Sequence, residues 1–221
     1  MPRADLHVHT CYSPDSLTAL EALARRCRQS GLDCIAVTDH NTIQGALRLK
    51  ETAPFTVITG EEIRTTGGDI IGLFLRERVP PGLTPLEAVR AVKDQGGLVS
   101  IPHPFDRVRS SVITAAALDE VLPHADMIET FNARNTNPRH DELAAALAAR
   151  AGLPGIAVSD AHTAGEVGRT SMELPPHDGT PQGFLAALRA GRPQCKRSSP
   201  LVHMASAYAK ARKRLFWSVP C

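Results

Sequence analysis

Five short runs of the 221-residue chain gather imidazoles and carboxylates: His7-Val8-His9, Thr38-Asp39-His40, Gly60-Glu61-Glu62, Pro102-His103-Pro104 and Ser159-Asp160-Ala161-His162. Buried together, such groups repel one another or lose their charges to protonation. Divalent cations remove the conflict by supplying positive charge. A mixed His and carboxylate set suits zinc, manganese or iron better than calcium, which prefers oxygen alone. Along a strand the side chains alternate with a period of two, so His7 and His9 point to one face and one ion can take both. Asp160 and His162 repeat that spacing. Singly the runs are weak: a His-x-His pair has many causes, Glu61 or Glu62 alone reads as a solvated acid, and His103 between prolines caps a turn. Their joint occurrence points to a metal centre, because all five close β-like segments.

The segments that position them are apolar, β-branched runs at residues 3–8, 34–38, 56–59, 69–75, 98–101, 127–131 and 156–159. Helical patterns lie between them. Residues 16–29 place Leu17, Leu20, Leu23, Ala24 and Cys27 on one face, and Gly31 supplies a stop. Thr84-Pro85-Leu86-Glu87 is a capping box with proline at the first helical position, and Gly96-Gly97 ends that helix. Residues 141–151, 181–190 and 204–217 predict further helices, the last basic and amphipathic. Seven strands, each followed by helix or loop, predict a parallel α/β fold. A closed or distorted (β/α)7 barrel is the first reading and an open doubly wound sheet the second. In either, the C-terminal strand ends share one face. Runs spread over about 155 positions would meet there.

The length fits one domain over residues 1–221. No apolar run reaches the roughly 18 residues of a membrane span, and no secretory pattern opens the chain, so a cytoplasmic protein is expected. Cys11, Cys27, Cys34, Cys195 and Cys221 form no C-x-x-C pair and are expected to be reduced thiols. Charge is uneven. Eight basic residues and no acidic one follow Asp178, while seventeen basic and twenty-three acidic residues upstream leave a net of −6. A tail of that kind coats a solvated helix face or meets nucleic acid. No Gly-rich phosphate loop, zinc knuckle or aromatic-rich strand accompanies it.

The run from His7 through Asp15 resembles the first motif of the PHP (polymerase and histidinol phosphatase) superfamily. Thr38-Asp39-His40-Asn41 resembles the second, and Gly60-Glu61-Glu62-Ile63, Ile101-Pro102-His103-Pro104 and Ser159-Asp160-Ala161-His162 resemble later ones. The resemblance spans about residues 3–205. It implies a distorted seven-stranded barrel, two or three divalent ions (Mn, Zn or Fe) and phosphoester hydrolysis. Carried over by position, His7, His9, Glu62 and Asp160 would hold one ion, and Asp15, His40 and His162 a second. Glu62 would bridge to a third, shared with His103. Where many members carry a third-ion histidine after the Gly-x-Glu motif, this chain has Asp69. Aspartate can also ligate, or stand as a loop acid.

Arginines suit phosphate because one guanidinium meets two oxygens. Arg107 and Arg109 follow the His103 motif, and Asn132 follows the sixth strand. The resemblance adds Arg134 and Arg169 as phosphate contacts. The reaction so implied is hydrolysis of a phosphomonoester or phosphodiester by a metal-bridging hydroxide, with Asp39 or His103 handling the leaving-group proton. The substrate would be a small phosphorylated molecule, including a nucleotide or short oligonucleotide. A metal-dependent amidohydrolase and a non-catalytic metal module in nucleic-acid processing are the alternatives.

Overall fold

The computed structural model describes residues 1–215; residues 216 and 217 of the expected last helix lie outside them. Nine strands form one sheet: β1 Arg3–Val8, β2 Cys34–Val37, β3 Thr56–Thr65, β4 Gly68–Leu73, β5 Leu98–Ile101, β6 Met127–Asn132, β7 Gly155–Val158, β8 Ser171–Glu173 and β9 Arg192–Gln194. Among the described residues seven α-helices accompany them: α1 Leu20–Ser30, α2 Gln44–Thr52, α3 Pro85–Asp94, α4 Ala115–Val121, α5 Pro138–Ala151, α6 Pro181–Ala190 and α7 Val202–Leu215. The strand order is β7-β6-β5-β4-β3-β2-β1-β8-β9. Beyond the end of β7, Ala161 bridges Val8 in parallel, and its carbonyl accepts the His9 N–H at 2.8 Å. The first seven strands therefore come close to a closed barrel at the end where the polar runs lie. At the other end of β1, Arg3 and Ala4 pair with β8 instead.

Local sequence explains most of these elements. Leu23 and Cys27 bury one face of α1, and Gly31 closes it at φ 65°, with its N–H on the Arg28 and Cys27 carbonyls. The α3 capping box forms in both directions between Thr84 and Glu87. Three buried apolar clusters hold the helices to the sheet. Val89, Val92, Val121 and Leu147 lie in the one under α3, α4 and α5. Phe184 belongs to the one against α6, and Leu23, Cys27 and Leu49 to the one under α1 and α2.

The expected all-parallel order fails at β4, which runs antiparallel to both β3 and β5. Only Thr66 and Gly67 separate β3 from β4, too few residues for the crossover that a parallel pair needs. Glu61 and Glu62 consequently sit inside β3 and not at its end. Cys27, Cys34 and Cys195 are free thiols, and Cys11 is disulfide-bonded, which corrects the expectation for that residue; Cys221 lies outside the described residues. Among the described residues no helix is long and apolar enough to cross a membrane.

The loop after β1 is tied down by Asp39. Its Oδ1 accepts the Thr10 N–H at 2.6 Å and the Ser13 hydroxyl at 2.8 Å, and its Oδ2 accepts the Thr10 hydroxyl at 2.6 Å. Gly45, in the first turn of α2, lies against this knot: a Cβ there would come within 2.1 Å of Asp39 Oδ2 and 2.6 Å of Thr10 Oγ1. Gly45→Ala is therefore expected to destabilise the protein by about 1–3 kcal/mol, as overpacking does. Thermal unfolding should show a Tm lower by roughly 3–10 °C. An unchanged Tm would mean that the knot yields freely.

Candidate metal centre

His7 and His9 leave β1 on one face, as their spacing requires, and their Nε2 atoms stand 2.9 Å apart. Both nitrogens lie 3.3 Å from Glu62 Oε2 and 3.5 Å from Asp160 Oδ1. Four donors from β1, β3 and the end of β7 thus converge. The hydrogen-bond network fixes the tautomers. Ser13 Oγ gives its proton to Asp39, so it accepts from His9 Nδ1 at 3.0 Å. Glu129 Oε1 accepts from His7 Nδ1 at 2.6 Å. A neutral ring in that tautomer turns its Nε2 lone pair toward the other ring. Two lone pairs at that distance repel unless positive charge, a proton or a metal ion, lies between them.

Other ligand atoms gather around this pair. His9, Asp15, His40 and His162 offer a second group, and His40, Glu62 and Asp69 a third, the atoms of each lying within 4.8 Å of one another. His9 had not been expected in the second group. Asp69 joins the third through the hairpin register. Glu62 faces Ile71, and Asp69 lies two residues before Ile71 on β4, so both carboxylates share a face. His103 Nε2 sits 3.2 Å from Glu62 Oε1, beside that group.

The electrostatics call for positive charge. Burial opposes charge on His7, yet Asp160, Glu129 and Glu62 raise its pKa well above the usual value. Burial likewise works against His40, but Glu62 and a hydrogen bond to Asp15 lift it to about 9. Burial and the neighbouring His9 push His162 down to about 3. Buried Asp15 Oδ1, Asp69 Oδ2 and Asp160 Oδ1 have no hydrogen-bond partner. This donor set, with converging lone pairs and unpartnered carboxylate oxygens, fits divalent cations. Backbone strain agrees: His103 and Asp160 have φ of 28° and 52°, which costs about 1–3 kcal/mol each.

A supporting layer orients the ligands. Glu129 Oε2 accepts the His103 N–H at 3.0 Å and the Asn132 amide at 2.9 Å. Asn132 also donates to Asp160 Oδ2 at 3.1 Å, and an Arg109 guanidinium nitrogen lies 2.6 Å from the same oxygen. In front of the ligands opens a cleft of about 440 Å³, whose walls include His40, Glu62, Asp69, Arg109, Arg134 and Lys210.

Several expected roles change. Asn132, expected to touch substrate, lies buried behind the ligands and positions them. Asp39, expected to carry a proton, has both oxygens engaged in the Thr10–Ser13 knot and lies outside the cleft wall. His103, expected to share that role, is 2 % exposed and does not line the cleft. Arg107 is exposed away from the cleft, where Arg109 stands instead, and Arg169 does not line it. Arg134 does. Glu61 points away, as alternation predicts: it accepts the Val79 N–H at 2.8 Å, and burial raises its pKa to about 7. Sequence reasoning missed Arg64, which lines the cleft, and Glu166, which pairs with Arg134 at 3.3 Å.

The PHP domain family matches residues 5–78, and the PHP-associated family PHP_C matches residues 138–193. An uncharacterized protein of Methanocaldococcus jannaschii is 39 % identical over 145 residues, 59 % of this chain and 82 % of that protein. The chain belongs to the PHP family. A second uncharacterized protein of the same organism is 34 % identical over 196 residues, covering 85 % of this PHP chain and 79 % of the relative. The fold is also that of a two-domain protein of Bacteroides vulgatus described as containing a predicted PHP-like metal-dependent phosphoesterase. Its TM-score is 0.68 at 19 % identity over 87 % of this chain, which spans 64 % of that protein.

Glu129 gives the metal centre a test separate from the ligands. Removing a carboxylate that orients a ligating imidazole lowers metal affinity by about 10–100-fold. Glu129→Ala should show that loss in a titration with Mn²⁺ or Zn²⁺. Chelation should lower the Tm of the parent, since a ligand bound only by the folded state stabilises it. A Tm indifferent to chelator and to added metal would count against the centre.

Proposed function

We propose that this PHP protein hydrolyses phosphate esters with two or three bound divalent ions, of manganese, zinc or iron. The observation that carries the reading is that carboxylates and imidazoles form one side of the cleft while Arg64, Arg109 and Arg134 stand around the same space. Such a cleft receives cations on one wall and a multiply charged anion beside them. A neutral amide has no use for the arginines, so the amidohydrolase alternative is less well supported.

His7, His9, Glu62 and Asp160 would hold one ion. Asp15, His40 and His162, with His9 beside them, would hold a second, and His40, Glu62 and Asp69 a third. Divalent ions supply acidity to a bound water and draw off charge that builds on phosphoryl oxygens. The chain's own groups do the rest. Arg134 is fixed on both sides, by Glu166 at 3.3 Å and by the Ser206 hydroxyl at 2.8 Å, and so meets the phosphate with little freedom left to lose. Arg109 is braced between Asp106 and Asp160. The cleft volume of about 440 Å³ suits a small phosphorylated substrate of nucleotide size, or the end of a short oligonucleotide.

Two variants test this reading, with a panel of phosphomonoesters, phosphodiesters and amides as substrates. Arg134→Met should keep full metal content and lose kcat/KM on phosphate esters by roughly 10–1000-fold. Parental rates on every phosphate ester, or turnover of amides alone, would overturn the proposal. Asp69→Ala should lower the metal count by about one and slow turnover with little change in Tm. An unchanged count and rate would leave Asp69 as a wall acid and reduce the ions to two.

A further inference from the structure

The basic C-terminal helix is not a uniformly solvated face. His203, Ser206, Lys210 and Lys213 recur at helical spacing and form one stripe of α7, and each contacts Arg134, Asp15 or the loop that follows β1. His203 Nε2 donates to the Arg134 carbonyl at 3.1 Å, and Ser206 Oγ accepts from the Arg134 guanidinium at 2.8 Å. The Lys213 ammonium donates to the carbonyls of Cys11 and Ser13, in the loop that follows β1. Lys210 Nζ lies 3.3 Å from Asp15 Oδ2. Arg212 and Arg214 are exposed. The helix is thus pinned on both sides of Lys210, whose ammonium reaches the cleft between the pins.

The Asp15 carboxylate also faces His40 Nε2 at 3.3 Å and His162 Nε2 at 3.4 Å. The Lys210 ammonium therefore leans on the same carboxylate as the second ligand group. A divalent cation seated among Asp15, His40 and His162 would repel an ammonium at that distance. Lysine carries its charge on a flexible four-carbon stem, and this side chain is 52 % exposed, so it is free to swing into the cleft. An anion lying there, between Arg109 and Arg134, would receive it.

We propose that Lys210 is an anion-binding residue of the active site, parked on Asp15 until a divalent cation displaces it toward the phosphate of the substrate. This inference rests on the phosphoesterase reading for the identity of the anion. It makes α7 a wall of the site, and it gives Lys210 opposite effects on two ligands: its charge opposes cation binding and favours phosphate binding.

The test is a pair of titrations on the full chain. Metal-free protein is titrated with Mn²⁺, and metal-loaded protein with inorganic phosphate. Lys210→Met should bind Mn²⁺ roughly 3–10-fold more tightly and phosphate roughly 3–10-fold more weakly, as expected for losing one partly exposed charge near each. Lys210→Arg should restore phosphate binding. Arg212→Gln with Arg214→Gln, on the exposed side, should change neither. Weakening of both ligands with a lower Tm would make Lys210 a mere support of the helix and overturn the proposal. No change in either titration would also overturn it, as would a phosphate loss that appears in the Arg212 and Arg214 variant instead. The titrations do not depend on turnover. If the opposed shifts appear in a protein that hydrolyses no phosphate ester, the lysine assignment stands and the phosphoesterase reading fails.

Discussion

His7 and His9 present their lone pairs to each other across 2.9 Å, and much of the chain serves to hold them there. Without positive charge between them that approach is repulsive, and it brings two buried carboxylates with it. The fold supplies the restraint from behind. Glu129 accepts a hydrogen bond from His7 Nδ1, and Ser13 Oγ accepts one from His9 Nδ1 because its own hydroxyl donates to Asp39. Asp39 in turn needs Gly45 beside it, since any larger residue would stand where its carboxylate lies. A backbone position in α2 is therefore coupled through two side chains, Asp39 and Ser13, to the direction of the His9 imidazole.

The barrel geometry is bent to the same end. A regular parallel barrel would deliver ligands only at strand ends. The antiparallel β4 breaks that rule and places Glu62 and Asp69 on one face of a hairpin, so the third group is built along strands. Closure between β7 and β1 occurs where it serves the site, through Ala161, between Asp160 and His162. Asp160 adopts a left-handed φ of 52° there. Strain of that kind persists only when its surroundings over-determine it, and Arg109, Asn132 and the ligand partners do so.

The side chains that converge were legible because their signal is local: a period of two in His7-Val8-His9 and in Asp160-Ala161-His162, each at the end of an apolar run. Strand β3 was legible only to residue 59, because Glu61 and Glu62 look like a polar stop; their alternation, one outward to Val79 and one inward, was the clue to its continuation. The roles of Asn132, Asp39 and Arg107 were not legible. Each depends on whether a side chain ends in the cleft or one layer behind it, a matter of packing across strands that no spacing records. Helix α2 escaped notice for the same reason: Gly45, a poor helix former, is explained only by the Asp39 knot.

The C-terminal helix shows how a charge pattern is misread when taken as a whole. Lys210, Arg212, Lys213 and Arg214 form one basic cluster in the sequence, yet helical geometry separates them. Lys210 and Lys213 turn inward to a carboxylate and to loop carbonyls, while Arg212 and Arg214 turn to water. The inward pair has a physical reason to be cationic. A centre rich in carboxylates attracts positive charge, and a nearby lysine satisfies that attraction at short range. A divalent ion satisfies it better, because it carries more charge and coordinates several imidazole lone pairs at once, where an ammonium offers only single hydrogen bonds. The same side chain can thus steady the carboxylates of one wall and, once relieved of that duty, complete the cationic wall opposite.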